Sequence, residues 1–349
     1  MLLSIGDKVR PGTYRFHSRF SCVVNFEHRG HLIAVVDETV GPGPLNIVFR
    51  NLADAVRPSA IANRSQITVP LPLRDKTSVR KNGAPTGTAV TKVATPALAE
   101  PPPLQISRSA VVFEGHGYHF ASRHRYNSTL DLEAVDLRRL RLNLCALGEF
   151  LKSAAPPKSL AFLLDNRRFC SFRRGFESAF AEQIAHGVDQ IFHGSLLAGV
   201  RELKGCGPGL TPAGDDFIAG LLIGLRVFQK LGIRNLPPTI DAIFRAARGE
   251  NLFSNTFLDL ARYGLLFGRM KDLLRALSSG GKGAVRKAAE RLFAVGASSG
   301  ADLATGFFML VHDQNRFGDP WGKRPHPFGN PAPARTKLRP ALRPLASRA

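Results

Sequence analysis

The sequence predicts an α+β protein in which a β-rich N-terminal domain is followed by an all-α helical domain and a disordered basic C-terminal tail. Residues 16–50 are rich in β-branched and aromatic residues and are broken by polar-glycine turns, a pattern typical of strands. From residue 176 onward, apolar residues recur three and four positions apart, which is the helical period. These patterns place the domains at 1–165 and 166–313 and the tail at 314–349.

The first domain opens with a predicted hairpin, in which FSCVVNF and HLIAVV flank a turn at HRG. GPGPLN at 41–46 predicts an ordinary strand connection, with one wall of a ligand site as the alternative. A strand is predicted at ITVPLPL, from residue 67. Residues 76–103 are mostly Ala, Pro, Thr and Gly, and such a segment buries too little apolar surface to offset its ordering entropy. We therefore expect a flexible insertion there.

Strand composition resumes in SAVVFEGHGYHF. Its histidines His116 and His119, with His124 nearby, have no acidic or cysteine partner at a ligand-like spacing, so we interpret them as surface residues and not as a zinc site. SLAFLL, from residue 159, predicts the last strand of the first domain. Helices are then predicted at 130–151, 176–186, 188–203, 238–248, 255–267, 272–277, 284–295 and 301–312.

Composition limits the function classes. The chain has 349 residues, four cysteines and a formal net charge of +21. None of the cysteines forms a CxxC pair, and no apolar run is long enough to span a membrane, so we expect a cytoplasmic protein. The charge invites a nucleic-acid interpretation. However, residues 314–349 carry eight Lys or Arg against one acid, and the remainder shows no clear basic helix face, so nucleic-acid binding through the tail is the weaker alternative.

The most constrained stretch is GCGPGLTPAGDDFIAGLL at 205–222. Alternating glycine and proline predicts a loop of defined shape, because glycine permits positive φ and proline restricts φ. Thr211 is the expected N-cap, with Pro212 as the first helical residue. Asp215 and Asp216 then fall in the first turn, where carboxylates favour the positive end of the helix dipole.

This stretch has an internal repeat. GDDFIAGLL at 214–222 aligns without gaps to GADLATGFF at 300–308. The repeat predicts two helices with similar starts, close contact through Gly220 and Gly306, and proximity of Asp216 and Asp302. Such helix starts form an anion site, and the two carboxylates could hold Mg²⁺ or move a proton. The alternative is that the aspartates only cap their helices and the glycines only pack.

The candidate site follows from the repeat. Asp215, Asp216 and Asp302 are the candidate catalytic residues, and Asp216 with Asp302 is also the candidate metal site. The helix start near SNTFLDL is expected to be capped by Ser254. The candidate residues for binding a small anionic substrate are Gly205, Gly207, Gly209, Thr211, Gly214, Ser254, Asn255, Ser298, Ser299 and Gly300.

Three segments in this order, GCGPGLTPAGDDFIAGLL, SNTFLDLARYG and VGASSGADLATGFF, resemble the signature segments of the bacterial family that contains the third subunit of oxamate carbamoyltransferase. The resemblance covers roughly residues 15–312. It implies a transferase subunit that acts with two other subunits in allantoin degradation, a branch of purine catabolism. There, oxalurate and phosphate give oxamate and carbamoyl phosphate.

The sequence also departs from this pattern. It carries Cys206 inside the loop, the insertion and the basic tail, and it lacks the Ser-x-Arg-Thr phosphate loop of aspartate-type carbamoyltransferases. Cys206 has no nearby histidine base in the sequence, and we interpret it as a small filler. Sequence alone therefore predicts a carbamoyltransferase-type subunit with an anion site and paired aspartates, and leaves open a non-catalytic assembly subunit.

Overall fold

The computed structural model describes residues 1–55, 101–132, 135–172, 175–233 and 236–312. Within these ranges, strands β1 to β9 lie at Leu2–Gly6, Gly12–Phe20, Val23–His28, His31–Asp37, Asn46–Phe49, Leu104–Ile106, Ala110–Phe113, His116–His119 and Arg125–Tyr126. Helices α1 to α10 lie at Leu52–Ala55, Leu137–Ala154, Phe176–His193, Leu196–Leu203, Ala213–Lys230, Pro237–Ala247, Leu252–Arg262, Gly268–Ser279, Lys282–Phe293 and Ser299–His312.

The strands form one sheet in the order β8-β7-β6-β2-β3-β4-β5-β1-β9. Most neighbours are antiparallel, whereas β4 pairs with β5 and β1 with β9 in parallel. Its core contains Phe26, Phe49 and Phe113, whose rings contact each other. The predicted hairpin is observed as β3 and β4, and the strand-like SAVVFEGHGYHF contains the antiparallel strands β7 and β8. The predicted α+β class is thus confirmed for the described residues.

A second hydrophobic core holds the helices together, with α5 and α10 at its centre. Fifteen residues of α5 and eleven of α10 are buried, so these two helices are surrounded on nearly all sides. Helix α2 also packs into this core, although it precedes residue 166. The division of the chain at 165 and 313 stays a prediction.

Two local expectations were wrong. The segment predicted as a last strand is a 3-10 helix, Leu160–Leu164, and its buried residues lie in the helical core. The expected helix boundary at Gly187 is the interior of α3, which runs on to His193. A Cβ on Gly187 would lie 2.2 Å from Leu203 Cδ1, so this glycine permits close packing against α4 and does not end the helix.

Several expectations fall on other parts of the chain. The predicted strand from residue 67, nearly all of the 76–103 insertion and the 314–349 tail lie outside the described residues. His116 and His119 are exposed, in agreement with their interpretation as surface residues. Among the described helices, none is both long and apolar enough to cross a bilayer.

Candidate active site at two paired helix starts

The loop between α4 and α5 has the predicted glycine geometry. Gly205, Gly207 and Gly209 have φ values of +71°, +118° and +112°, which are left-handed conformations that disfavour other residues. A Cβ on Gly207 would also lie 2.8 Å from the amide nitrogen of Ala213. The amides of Gly207 and Gly209 donate no backbone hydrogen bond within the described residues. The loop therefore offers two N–H donors to a ligand.

Asp215 connects this loop to the helix that follows. Its side chain is buried, and Oδ1 accepts a 2.8 Å hydrogen bond from the Gly205 amide. The adjacent Gly214 packs on the end of α4, because a Cβ there would lie 2.0 Å from the carbonyl oxygen of Leu203. These contacts hold the loop in a fixed position above the first turn of α5.

Helices α5 and α10 run side by side in parallel and touch through their backbones. A Cβ on Gly220 would lie 2.1 Å from Leu303 O, and a Cβ on Gly306 would lie 2.1 Å from Phe217 O. The contact continues in the same direction, since Gly224 faces Leu310. The close approach expected from the repeat is therefore present, and each glycine makes room for the partner helix.

The two helix starts are also built alike. Just as Gly214 packs on the last carbonyl of α4, a Cβ on Gly300 would lie 1.8 Å from the carbonyl oxygen of Leu292 in α9. The hydroxyl oxygens of Thr211 and Ser299 meet across the pair, 3.4 Å apart. The sequence repeat is thus a structural repeat of helix, turn and helix that brings two helix N-termini together.

Asp302 is the more deeply buried carboxyl, with no exposed surface. Its Oδ1 accepts a 2.6 Å hydrogen bond from the Leu160 amide. Its Oδ2 is buried and has no hydrogen-bond partner in the part of the chain that the structure describes. Burial raises the pKa of Asp302 to about 7, against the opposing effects of the Leu160 N–H and the Ser298 hydroxyl. Its neutral form is therefore favoured relative to that of an exposed aspartate.

Asp216 is 8% exposed, and it lies near enough to Asp302 for the two charges to interact. Burial, followed by the negative charge of Asp302, raises its pKa well above the usual range, whereas the Ser299 and Thr211 hydroxyls lower it. Thr211 Oγ1 donates to Asp216 Oδ2 over 3.2 Å. Ionisation of both buried carboxyls at once is costly, because like charges disfavour each other's ionised form.

Two expected helix caps were placed wrongly. Helix α5 begins at Ala213 with Pro212 as its N-cap, so the Thr211 hydroxyl reaches the carboxylate of Asp216 and does not cap the backbone. Helix α7 is capped by Asn251, whose side chain accepts from the Ser254 amide. Capping geometry depends on local backbone angles, which these sequences do not distinguish.

Neither of the two α7 candidates makes a side-chain hydrogen bond to Asp216 or Asp302 among the described residues. Asn255 bonds both the amide and the carbonyl of Gly249. The hydroxyl oxygen of Ser254 is buried and has no hydrogen-bond partner among the described residues. The connection between α7 and the loop is made by Asn251 Nδ2, which donates 2.9 Å to the carbonyl oxygen of Leu210. Sequence reasoning missed Asn251 at this junction.

Sequence reasoning also missed the Leu160 amide that bonds Asp302. A backbone donor leaves no mark on residue identity, and the expected strand placed it in the other domain. Cys206 agrees with its interpretation as a filler: burial, with the charges of Asp215 and Glu202, raises the pKa of its thiol. Across the described ranges, no group of three or more His, Cys, Asp or Glu side chains could hold a metal ion.

The fold and the site define an α+β protein with a paired-carboxyl centre at two joined helix starts. The family model described as oxamate carbamoyltransferase subunit AllH matches residues 203–311. This range begins at the last residue of α4 and ends within α10, so it contains both copies of the repeat. The predicted resemblance is therefore confirmed over these residues. No solved structure matches the chain.

Proposed function

We propose that this chain is a subunit of an oxamate carbamoyltransferase complex and that the paired helix starts of α5 and α10 form part of its active site. The family match supports the first statement. The observation that carries the second is the pair Asp216 and Asp302, two adjacent buried carboxyls of which one titrates near neutral pH and keeps an unpartnered oxygen. Perturbed titration in a built site is typical of catalytic acids and bases.

The loop and the helix starts bind the anionic end of the substrate. The amides of Gly207 and Gly209 supply N–H donors, and the hydroxyls of Thr211 and Ser299 lie at the partly exposed mouth of the pair. Two helix N-termini at one place add positive potential. A carboxylate or phosphate group is the ligand that this arrangement favours.

The carboxyl pair moves the proton that carbamoyl transfer requires. When phosphate attacks the carbamoyl carbon of oxalurate, a C–O bond forms, the C–N bond to oxamate breaks, and its electron pair stays on nitrogen. That nitrogen takes a proton from a protonated aspartate of the pair, and the attacking phosphate returns a proton to it. A pKa near the working pH suits a group that both gives and takes a proton.

The remaining candidates position this pair. Asp215 holds the loop through the Gly205 amide, so we assign it a positioning role and not direct proton transfer. Gly214 and Gly300 let each helix start pack on the helix before it. Ser298 lowers the pKa of Asp302. These contacts keep the two carboxyls side by side.

Mg²⁺ is the alternative occupant of the carboxyl pair. Each aspartate could give one oxygen, Oδ2 in the case of Asp302, and Mg²⁺ commonly keeps several of its waters when bound by one or two carboxylates. Chelation separates the two forms of the proposal. Turnover that EDTA abolishes and Mg²⁺ restores favours the metal, whereas turnover unchanged by EDTA favours proton transfer by the carboxyls.

Asp216→Asn and Asp302→Asn in the assembled complex test the catalytic role. Each amide keeps the shape of the carboxyl but does not carry the proton, so we expect a fall in kcat of about 10²-fold or more with the melting temperature retained. Asp189→Asn, on the exposed face of α3, is the matched control. Turnover of both site variants equal to that of the control would remove the catalytic assignment.

The competing function is a non-catalytic assembly subunit, in which the glycines serve only helix packing. Calorimetry with carbamoyl phosphate and the full chain separates the two. Saturable binding that is lost in Gly207→Val supports an anion site, because the side chain would block the loop amides. Absence of binding to the wild-type chain supports the assembly role.

Nucleic-acid binding through the 314–349 tail is the third possibility. It predicts binding that weakens steeply with salt and disappears on truncation at Gln314. The tail lies outside the described residues, so this test rests on its charge alone.

A further inference from the structure

A cleft of about 540 Å³ lies between the sheet and the helices, away from the loop that precedes α5. The β4–β5 connection forms one wall, and the first two turns of α8 with the end of α9 form the other. Tyr126 of β9 also lines it. This volume is in the range of small-molecule sites. The GPGPLN segment thus does form one wall of a cleft, which was the alternative interpretation of that segment.

Positive charge predominates in this cleft. Four cationic side chains line it, and they face only two acids, Glu38 and Asp272. The four are Arg269, Lys271, Arg275 and Arg291. Asp272 is shared, at 3.4 Å from Arg275 and 4.0 Å from Arg291. The lining thus has two more cationic side chains than acidic ones, and Asp7 and Asp131 lie near enough to Lys271 to interact with its charge.

Two of the cations bond neutral carbonyls, so these contacts leave their charge uncompensated. Arg269 donates to the carbonyl oxygens of Thr39 and Arg291. Lys271 is 8% exposed and donates 2.8 Å to the Asn127 carbonyl oxygen. Burial, followed by the charge of Arg275, lowers the pKa of Lys271. An anion in the cleft would relieve that repulsion, because an opposite charge favours the ionised form.

The backbone adds to the same potential. Helix α8 has twelve residues and its N-terminus opens on this cleft, where the Gly268 amide donates 2.8 Å to Pro42 O. The positive end of a helix dipole favours anions. Apolar surface from Val40, Pro42 and Tyr126 lines the remainder, which fits the organic part of a ligand better than a fully hydrated ion.

We propose that this cleft binds a small organic phosphate monoester, at a site separate from the paired helix starts. Three arginines line the cleft, and guanidinium groups recognise phosphate oxygens with directed hydrogen bonds. Because its two walls come from the sheet and from the helical core, the ligand would stabilise the packing of one on the other. Binding to the folded form alone raises the apparent stability by mass action.

Phenyl phosphate is the probe, measured by calorimetry and by thermal shift on the full chain at low salt. We expect saturable binding and a higher melting temperature, with affinity at least about tenfold lower in Arg275→Gln and in Arg291→Gln. Arg286→Gln is the matched control, because Arg286 lies on α9 with Arg291, is exposed and pairs with Glu290. Its affinity should equal that of the wild type.

Three results would overturn the proposal. No binding to the wild-type chain would do so, as would affinity equal in all three arginine variants. Equal affinity for phenyl phosphate and inorganic phosphate would reject the organic ester. None of these results tests the proposed role of the paired helix starts, because the substituted arginines are not part of that site.

Discussion

The backbone contact between α5 and α10 makes Gly220 the most informative single position for the fold. In Gly220→Ala the new Cβ would meet Leu303 O at 2.1 Å and Phe307 N at 2.7 Å. Both obstacles are backbone atoms of a helix, so no side chain can rotate away and the helices must separate. Thr211 and Ser299, which meet at the joined helix starts, would be drawn apart.

Two opposing effects set the change in the free energy of unfolding of Gly220→Ala. Overpacking a tight interior costs about 1–3 kcal/mol, and the backbone obstruction places this substitution near the upper limit. Alanine regains about 1 kcal/mol of helix propensity over glycine. The net loss in the free energy of unfolding is thus about 2 kcal/mol, or about 4–8 °C in melting temperature for a unit of this size.

Urea and thermal unfolding, followed by circular dichroism, measure this loss. Gly283→Ala is the matched control, because Gly283 lies in α9 and a Cβ there would meet nothing within 4 Å. The control should be as stable as the wild type or slightly more stable. If Gly220→Ala were equally stable, the parallel backbone contact, and with it the joining of the two helix starts, would be refuted.

Three further changes test the structure at separate points. Asp302 has a folded pKa of about 7 against an ordinary value of 3.8, so the folded state binds more protons between these values and stability should fall as pH rises from about 4 to about 7. Urea midpoints of Asp302→Asn should show a shallower slope, since the raised pKa of Asp216 still contributes. Asn251→Ala should cost about 1 kcal/mol of stability by calorimetric unfolding, because α7 loses its cap, whereas Asn255→Ala should leave that cap intact. Asn143 donates to three carbonyls at the end of α8. Asn143→Leu should lower the free energy of unfolding by about 1–3 kcal/mol in urea, because these acceptors lose their donor. An unchanged urea midpoint would contradict the role of this network.

The sequence predicted most of the elements because their signals are local. Period-2 and period-3.6 patterns depend on which face of an element is buried, and they identified the hairpin of β3 and β4 and most of the later helices. Errors arose where one residue type serves two purposes. Gly187 was interpreted as a helix break although it makes room for Leu203. The apolar run at 160–164 was predicted as a strand, because a run of this length is too short for its periodicity to distinguish a strand from a buried helical turn.

In the candidate site, too, the local features were predicted and the contacts between distant segments were not. The repeat of glycine, aspartate and glycine in two helices was enough to predict that Asp216 and Asp302 lie together, because both copies need the same close packing. The sequence did not predict the Leu160 amide on Asp302, the Asn251 connection to the loop or the arginine cleft beside α8. Each of these depends on segments far apart in the chain.

By itself, then, the sequence determined the class of fold, the glycine-rich loop and the pairing of two aspartates, since backbone freedom and side-chain periodicity are properties of short segments. Only the tertiary structure decided how these carboxyls titrate. Their pKa values rise because neighbouring helices exclude water from both and leave one oxygen of Asp302 without a donor. Desolvation depends on everything packed around a group, and no segment of the chain carries that information alone.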